Sequence, residues 1–234
     1  MPGKLYLIPS LLGDSHPDLV LPPTIRTLVS SIQHYLVEDI RTARRFLKKM
    51  DPNIQPDQLT FFEINKRTRF DELSAFLGRA KEGLDIGVLS EAGCPGIADP
   101  GADAVKIAHQ MDIEVVPLVG PSSVLLSLMA SGLNGQNFTF TGYIPIQHPG
   151  RGKTIRYLES RALSDKQTQI FIETPYRNNN LVSDLLKTLR ETTRLCIACD
   201  LTLETQFIKT KTVKEWKKSV PDLHKRPAIF LIGQ

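Results

Sequence analysis

The sequence is poor in cysteine, tryptophan and histidine, and it has no long hydrophobic run. It holds 3 Cys, 1 Trp and 5 His in 234 residues. Three cysteines cannot all pair within one chain, so a disulfide framework is excluded. Cys196 and Cys199 lie in Leu195-Cys196-Ile197-Ala198-Cys199, which reads as a buried strand. Their odd separation sends the two side chains to opposite faces, which argues against a dithiol or a shared metal ion. His16, His34, His109, His148 and His224 are scattered, and no spacing among them suits a metal site. No Ser/His/Asp or Cys/His arrangement points to covalent catalysis. No apolar run reaches membrane-spanning length, and the first residues enter a strand-like segment without the layout of a signal peptide. No membrane association is expected, and a cytoplasmic location is the default. Asn137-Phe138-Thr139 matches a glycosylation sequon that a cytosolic chain would leave idle. There is no long repeat and no low-complexity tract.

What is present is ordinary globular composition, with 41% hydrophobic and 23% charged residues. The length allows one to two domains. A net charge of +4 fits an RNA substrate, and it fits many small-molecule enzymes as well. Arg41, Arg44, Arg45, Lys48 and Lys49 recur at helical steps and line one side of a short helix. Such a stripe suits a phosphate-tracking surface or a solvated helix face.

The most informative stretch is Ser90-Glu91-Ala92-Gly93-Cys94-Pro95-Gly96-Ile97-Ala98-Asp99-Pro100-Gly101. It follows Asp85-Ile86-Gly87-Val88-Leu89, which reads as a buried strand, and precedes an apolar helical pattern from Ala102 to His109. Open α/β sheets bind ligands at such strand ends. Glycine permits close backbone approach and positive φ, and proline stiffens the loop. Strand patterns fall at 5–8, 34–37, 59–64, 86–89 and 113–117, and helical patterns at 24–31, 41–49, 70–81, 102–110 and 122–130. This alternation predicts an α/β domain with a mainly parallel sheet. Residues 139–150 read as a linker, with Gln147-His148-Pro149-Gly150 its most flexible part. Beyond it, helices at 153–162, 181–190 and 213–218 and strands at 169–173, 195–201, 205–210 and 228–232 predict a mixed α+β sheet. The expected domains are 1–142 and 143–234.

Several segments together resemble the bacterial 16S rRNA ribose-2′-O-methyltransferases of the tetrapyrrole-methylase superfamily. The signature stretch resembles S-D-A-G-T-P-G-I-S-D-P-G. Lys4-Leu5-Tyr6-Leu7-Ile8-Pro9 resembles the family's first strand, and Val37-Glu38-Asp39-Ile40-Arg41 its A-E-D-T-R. Val119-Gly120-Pro121-Ser122-Ser123 with Ala130-Ser131-Gly132-Leu133 resembles P-G-P-S-A and A-S-G-L. Phe138 to Pro145 resembles F-x-F-x-G-F-L-P, and Glu173-Thr174-Pro175-Tyr176-Arg177 resembles E-S-P-H-R.

The resemblance implies a two-domain α/β fold, with an N-terminal mainly parallel sheet, a C-terminal mixed sheet and S-adenosylmethionine in the cleft between domains. It implies cofactor contacts from Pro9, Gly93, Cys94, Pro95, Ile97, Ala98, Pro121, Ser122, Ser123, Thr174, Pro175, Pro227 and Ala228. Helix capping by Ser122 and Ser123, and an ordinary edge strand at Pro227 and Ala228, are the plainer readings. Methyl transfer needs chiefly alignment and exclusion of water. A hydroxyl acceptor must also lose a proton, which nominates Glu38 or Asp39 as base, with Arg41 on phosphate or paired to an acid. Capping of the next helix is the alternative for both acids. The expected partners are rRNA or the small ribosomal subunit and a second copy of the chain.

The pattern departs from the family at polar positions. Pro9-Ser10-Leu11-Leu12-Gly13-Asp14 stands for P-I-G-N-L-G-D, and Glu91 replaces the signature aspartate. Phe61-Phe62-Glu63-Ile64-Asn65 lacks both histidines of Y-H-x-H-N, and Asp200-Leu201-Thr202-Leu203-Glu204-Thr205 lacks the Lys and His of E-L-T-K-x-H. Two alternatives follow: a precorrin-like tetrapyrrole C-methyltransferase, which the loop disfavours by lacking G-G-D-P, and a cofactor-binding module without catalysis.

Overall fold

The computed structural model describes residues 2–65, 67–147 and 149–234. Contacts divide the chain into two compact units at Ser122/Ser123. The first contains β1 (Leu5–Ile8), α1 (Pro23–Ser31), β2 (His34–Val37), α2 (Ile40–Met50), β3 (Thr60–Glu63), α3 (Phe70–Leu77), β4 (Ile86–Leu89), α4 (Gly101–Gln110) and β5 (Val115–Pro117). Its sheet has the order β3-β2-β4-β1-β5, and every pairing is parallel. The central strand β4 is buried along its whole length, as a strand covered on both faces must be.

Alternation along the strands splits the core in two. Leu5, Leu36, Ile86 and Val88 pack on one face with Leu73, Phe76 and Leu77 of α3 and Ala104 and Ile107 of α4. Ile8, Tyr35, Val37 and Leu89 pack on the other with Ile25 and Val29 of α1 and Phe46 and Leu47 of α2. Gly87 makes this second face possible: a Cβ there would lie 2.7 Å from Ile8 Cδ1 and 2.8 Å from the Tyr35 ring. Tyr35 is fully buried, and its hydroxyl donates to Val29 O at 2.9 Å.

The second unit contains α5 (Ser123–Ser131), β6 (Phe138–Tyr143), α6 (Gly150–Ser164), β7 (Thr168–Ile172), α7 (Asn178–Thr188), β8 (Arg194–Cys199), β9 (Phe207–Thr212), α8 (Val213–Trp216) and β10 (Ala228–Gly233). The sheet order is β6-β7-β10-β8-β9, parallel only between β6 and β7. The last strand thus occupies the centre. Phe171 and Phe230 stack with ring centroids 6.0 Å apart inside a core shared with α6 and α7. Trp216 is buried there, and its indole N–H donates to Leu195 O at 2.8 Å.

Several boundaries differ from the sequence reading. The expected division at 142/143 moves to Ser122/Ser123, because 138–143 is a sheet strand rather than linker and α5 packs on β8, β9 and β10. Thr210 Oγ1 donates to Ser131 O at 2.6 Å within that packing. His148 of the expected linker lies outside the described residues. The helix expected over 70–81 ends at Leu77 and continues as a 3₁₀ turn, Gly78–Glu82, closed by Gly83 at φ 90°. Ile113 belongs to the turn that closes α4, where its N–H bonds Ala108 O, so β5 starts later than 113. Asp200 and Thr202 at φ 50° and 70° turn the chain tightly after Cys199, which shifts β9 from 205–210 to Phe207–Thr212. Cys196 and Cys199 are both buried on β8, and only Cys199 belongs to the core cluster on the α6/α7 side.

Candidate functional site

The signature stretch joins the carboxyl end of β4 to α4. Gly93 and Gly96 take φ of 77° and 85°, and Ala98, a residue with a Cβ, takes 65°. Such a conformation at a non-glycine costs on the order of 1–3 kcal/mol and must be held by its surroundings. Asp99 supplies part of the hold: its Oδ1 accepts from Gly96 N–H at 2.8 Å and Gly101 N–H at 2.7 Å. Ser10 N–H donates to Gly93 O at 2.9 Å, and Ser10 Oγ donates to Ser90 O at 3.0 Å. These bonds pin the loop to the end of β1.

Pro9 packs against Gly120 so closely that a Cβ at Gly120 would sit 2.2 Å from Pro9 Cγ. Cys94 Sγ lies 3.5 Å from Pro121 O, and a Cβ on Gly93 would come within 3.4 Å of the same oxygen and 3.2 Å of Leu12. The structure therefore brings Pro9, Gly93, Cys94 and Pro121 together. Pro95 is buried below the loop surface, whereas Ile97 is 55% exposed. The N–H groups of Gly93, Cys94 and Ala98 have no partner among the described residues. Free amides on a stiff loop without a Cβ at its crowded point fit the carboxylate and chain of an amino-acid-bearing cofactor.

A cavity of about 640 Å³ opens beside this loop at the carboxyl ends of β1, β2 and β4. Leu11, Leu12, Phe46 and Leu89 give it apolar walls, and Asp14, Glu38, Asp39, Arg45, Lys49 and Glu91 give it charge. Glu38 Oε1 accepts from Glu91 N–H at 3.0 Å. Burial pushes the Glu38 carboxyl above its usual range despite that hydrogen bond, and the charge of Asp99 adds to the shift. Burial also raises the Glu91 carboxyl, with repulsion from Asp39 and Glu38 behind it. Asp39 behaves differently. Its Oδ1 accepts from Thr42 N–H at 2.7 Å as the N-cap of α2, and this bond holds its carboxyl below the usual range. Arg41 is exposed and does not line the cavity.

The basic stripe of α2 is not one continuous surface. Arg44 pairs with Asp57 at 2.9 Å and Lys48 donates to Pro52 O at 2.9 Å, while Lys49 reaches Asp14 at 2.5 Å on the cavity side. Ser10, Thr42, Arg45 and Glu91 were not singled out from the sequence as cavity residues. Glu91, standing where the family has aspartate, was the signal available.

In the second unit, Thr174 and Pro175 follow β7, and Pro227 and Ala228 open β10. Lys225 N–H donates to Pro175 O at 3.1 Å and Asp200 N–H to Pro227 O at 2.9 Å, so these segments adjoin at one end of the sheet. Glu173 fixes the turn. Its Oε1 accepts from Thr174 N–H at 2.8 Å and Arg177 Nη2 at 2.8 Å, and its Oε2 pairs with Arg151 Nη2 at 2.6 Å. Arg151 reaches Asp184 as well, at 3.3 Å. Burial alone would raise the Glu173 carboxyl. The hydrogen bonds from Arg177 and Thr174 and the charges of Arg177 and Arg151 outweigh it, and the carboxyl is held below its usual range. Ser123 is the first residue of α5, directly after Ser122.

A parallel α/β unit with a glycine- and proline-rich loop at its strand ends, followed by a mixed-sheet unit, defines a two-unit α/β architecture. The family model of the Tetrapyrrole (Corrin/Porphyrin) Methylases matches residues 25–217. Ribosomal RNA small subunit methyltransferase I of Escherichia coli O157:H7 is 26% identical over 235 residues, covering 98% of this chain and 77% of that protein. The protein of the same name from Synechocystis is 28% identical, covering 86% of this chain and 67% of the relative. Among solved structures, the methyltransferase CobJ superposes with a TM-score of 0.64 at 17% identity, covering 99% of this chain and 94% of its own. Uroporphyrin-III C-methyl transferase from Thermus thermophilus, complexed with S-adenyl homocysteine, gives 0.58 at 15% identity, covering 99% and 98%. At these identities the two structures show the fold alone.

The chain belongs to the tetrapyrrole methylases. It is an S-adenosylmethionine-dependent methyltransferase.

Proposed function

We propose that this enzyme methylates a ribose 2′-hydroxyl of small-subunit rRNA, with Glu38 as the base. The observation that carries the base assignment is the half-buried Glu38 carboxyl, fixed by Glu91 N–H in the wall of a cavity next to the signature loop. The rRNA substrate is supported by the relatives whose names carry it. S-adenosylmethionine, held by Pro9, Gly93, Cys94, Pro95, Ile97, Ala98 and Pro121, supplies a methyl group already activated by its sulfonium. From the second unit, Ser123, Thr174, Pro175, Pro227 and Ala228 are proposed as further contacts on the strength of the resemblance, with Ser122 beside them.

The chain's own work is binding, alignment and one proton transfer. The tethered loop offers amides without rearranging, so less ordering is left for the reaction itself. Glu38 takes the proton from the hydroxyl oxygen as that oxygen is methylated, and its raised carboxyl is a better proton acceptor than an exposed glutamate. Asp39 serves the fold as a cap and Arg41 meets solvent, so both are secondary to Glu38 in this reading. A second copy of the chain completes the assembly, and light scattering should return about twice the 26.2 kDa monomer mass. No helix among the described residues is long and apolar enough to cross a membrane, and a cytoplasmic location is part of the proposal, supported by the rRNA-methylating relatives.

The test is labelled methyl transfer to purified small subunits, with nuclease digestion and mass spectrometry of the nucleosides. A 2′-O-methylnucleoside is expected, and Glu38→Gln should lose about 10²–10⁴-fold in rate. Label on a tetrapyrrole and none on RNA would make the chain a C-methyltransferase. Cofactor binding with no transfer would make it a binding module.

A further inference from the structure

The charge of this chain is unevenly divided. Residues 1–122 carry 13 Lys and Arg against 16 Asp and Glu, a net of −3. Residues 123–234 carry 16 against 9, a net of +7. The whole basic excess therefore lies in the second unit, away from the basic helix α2 that the sequence brought forward.

Within the second unit, two groups of cations lie at opposite ends of the sheet. Lys214, Lys217 and Lys218 follow β9, whose Thr212 pairs with Arg194 at the start of β8. Pro227 and the Glu173–Arg177 turn lie at the other end, where Cys199 finishes β8 and Ala228 pairs with it. The first turns of α6 belong to this second end, because Arg151 is bonded to Glu173 at 2.6 Å. Tyr143 lies there too, in register with Ile172.

On α6, Lys153, Arg156 and Tyr157 stand at i, i+3 and i+4 and share one face. Lys153 and Arg156 are exposed, and neither has an ion pair among the described residues. Tyr157 is 61% exposed and Tyr143 is 60% exposed. On α2, by contrast, Arg44 and Lys49 already have acidic partners. Unpaired cations beside exposed aromatic rings suit a single-stranded nucleic acid, with phosphates on the cations and bases stacked on the rings.

We propose that the outward face of α6, with Lys153, Arg156 and Tyr157, is the docking surface for single-stranded RNA, with Tyr143 at the same end of the sheet as the start of α6. This rests on the RNA-methylating reading above and names the surface that serves it. Lys214 of α8 and Lys218 just beyond it, at the far end of the sheet, act instead as solvating charges that guard the edge strand β9.

The test uses fluorescence anisotropy with a labelled single-stranded RNA of mixed sequence across a salt series. K153E/R156E should weaken binding at least tenfold and flatten the salt slope by about 0.7 for each lost phosphate contact. K214E/K218E, an equal charge change at the other end, should shift affinity less than threefold. Tyr157→Ala should lose severalfold in affinity with the slope kept, and Tyr157→Phe should retain it. Calorimetry with S-adenosylhomocysteine should give the parent affinity for every variant. Equal losses from both charge-reversed doubles, or no loss from the α6 double, would overturn the surface, as would preferential binding of anionic vesicles through the same residues. If the parent methylates small-subunit RNA and K153E/R156E does so with unchanged KM, the surface is wrong and the function stands. If the parent neither binds RNA nor methylates it, both are wrong.

Discussion

The two units of this enzyme differ in how they use ion pairs to hold their polar groups. In the first, side chains at the strand ends bond to backbone: Ser10 to Ser90 O, Asp99 to two glycine amides, Glu38 to Glu91 N–H. The result is a shaped loop beside an open cavity, with Ala98 held at positive φ. In the second, charges neutralise each other. Arg151 and Glu173, with side chains 4% and 2% exposed, anchor a network that includes Arg177 and Asp184. A further pair, Asp200 with Arg226 at 2.8 Å, ties the β8 turn to the segment before β10. One unit is arranged to leave backbone donors unused for a ligand. The other is arranged to keep its interior charges satisfied while its surface stays basic.

The largest stability change is expected where a buried charge loses its partner. Arg151→Ala leaves Glu173 and Asp184 short of a cation and should cost about 3–5 kcal/mol, read as a drop in the midpoint of urea unfolding. The pH dependence sharpens this. Glu173 has a lowered carboxyl pKa in the folded state, so its contribution is present above the unfolded carboxylate pKa and is lost as pH falls through the lower folded value. The parent should therefore lose more stability than Arg151→Ala on acidification below pH 4.5, the ordinary glutamate value.

Next comes the loop. Gly93→Val places a β-branched side chain at φ 77°, against Leu12 and Pro121 O. The strain should cost on the order of 1–3 kcal/mol and leave a cooperative unfolding transition, while calorimetry detects no S-adenosylhomocysteine binding. A variant that binds as the parent does would reduce the loop to a connector. Asp39→Ala should lower the midpoint of urea unfolding modestly by removing the α2 cap, with methyl transfer per folded molecule nearly unchanged. A large activity loss without a stability change would return Asp39 to the chemistry.

The smallest effect has the opposite sign. Glu38 has a raised folded pKa, so ionising it in place opposes folding at neutral pH. Glu38→Gln should raise Tm slightly at pH 7, and the gap should close as pH falls below the unfolded carboxylate pKa of about 4.5. Together with the activity loss, that gain would mark a group kept for function at the expense of stability.

Much of the fold was legible because the strands of the first sheet are short apolar runs between helical periods. Ile86–Leu89 reads as a strand from composition alone. The signature loop was legible through its glycines and prolines. The boundary was not, since Phe138-Thr139-Phe140-Thr141-Gly142-Tyr143 carries a glycine inside a strand and sits before a proline-rich turn. Its strand character comes from pairing with 168–172, thirty residues later in the chain. The buried Arg151–Glu173 pair was equally silent, because nothing in an Arg near a helix start marks it as 3% exposed. The stripe on α2 misled for the same reason: Asp14 and Asp57, which neutralise Lys49 and Arg44, are distant in sequence.

The division of labour is tested most directly by titrating S-adenosylhomocysteine and single-stranded RNA, separately, into Gly93→Val and K153E/R156E. A crossed result is expected: Gly93→Val loses the cofactor product and keeps RNA affinity, and K153E/R156E loses RNA affinity and keeps the cofactor product. Loss of both ligands from either variant, with its unfolding transition intact, would contradict it.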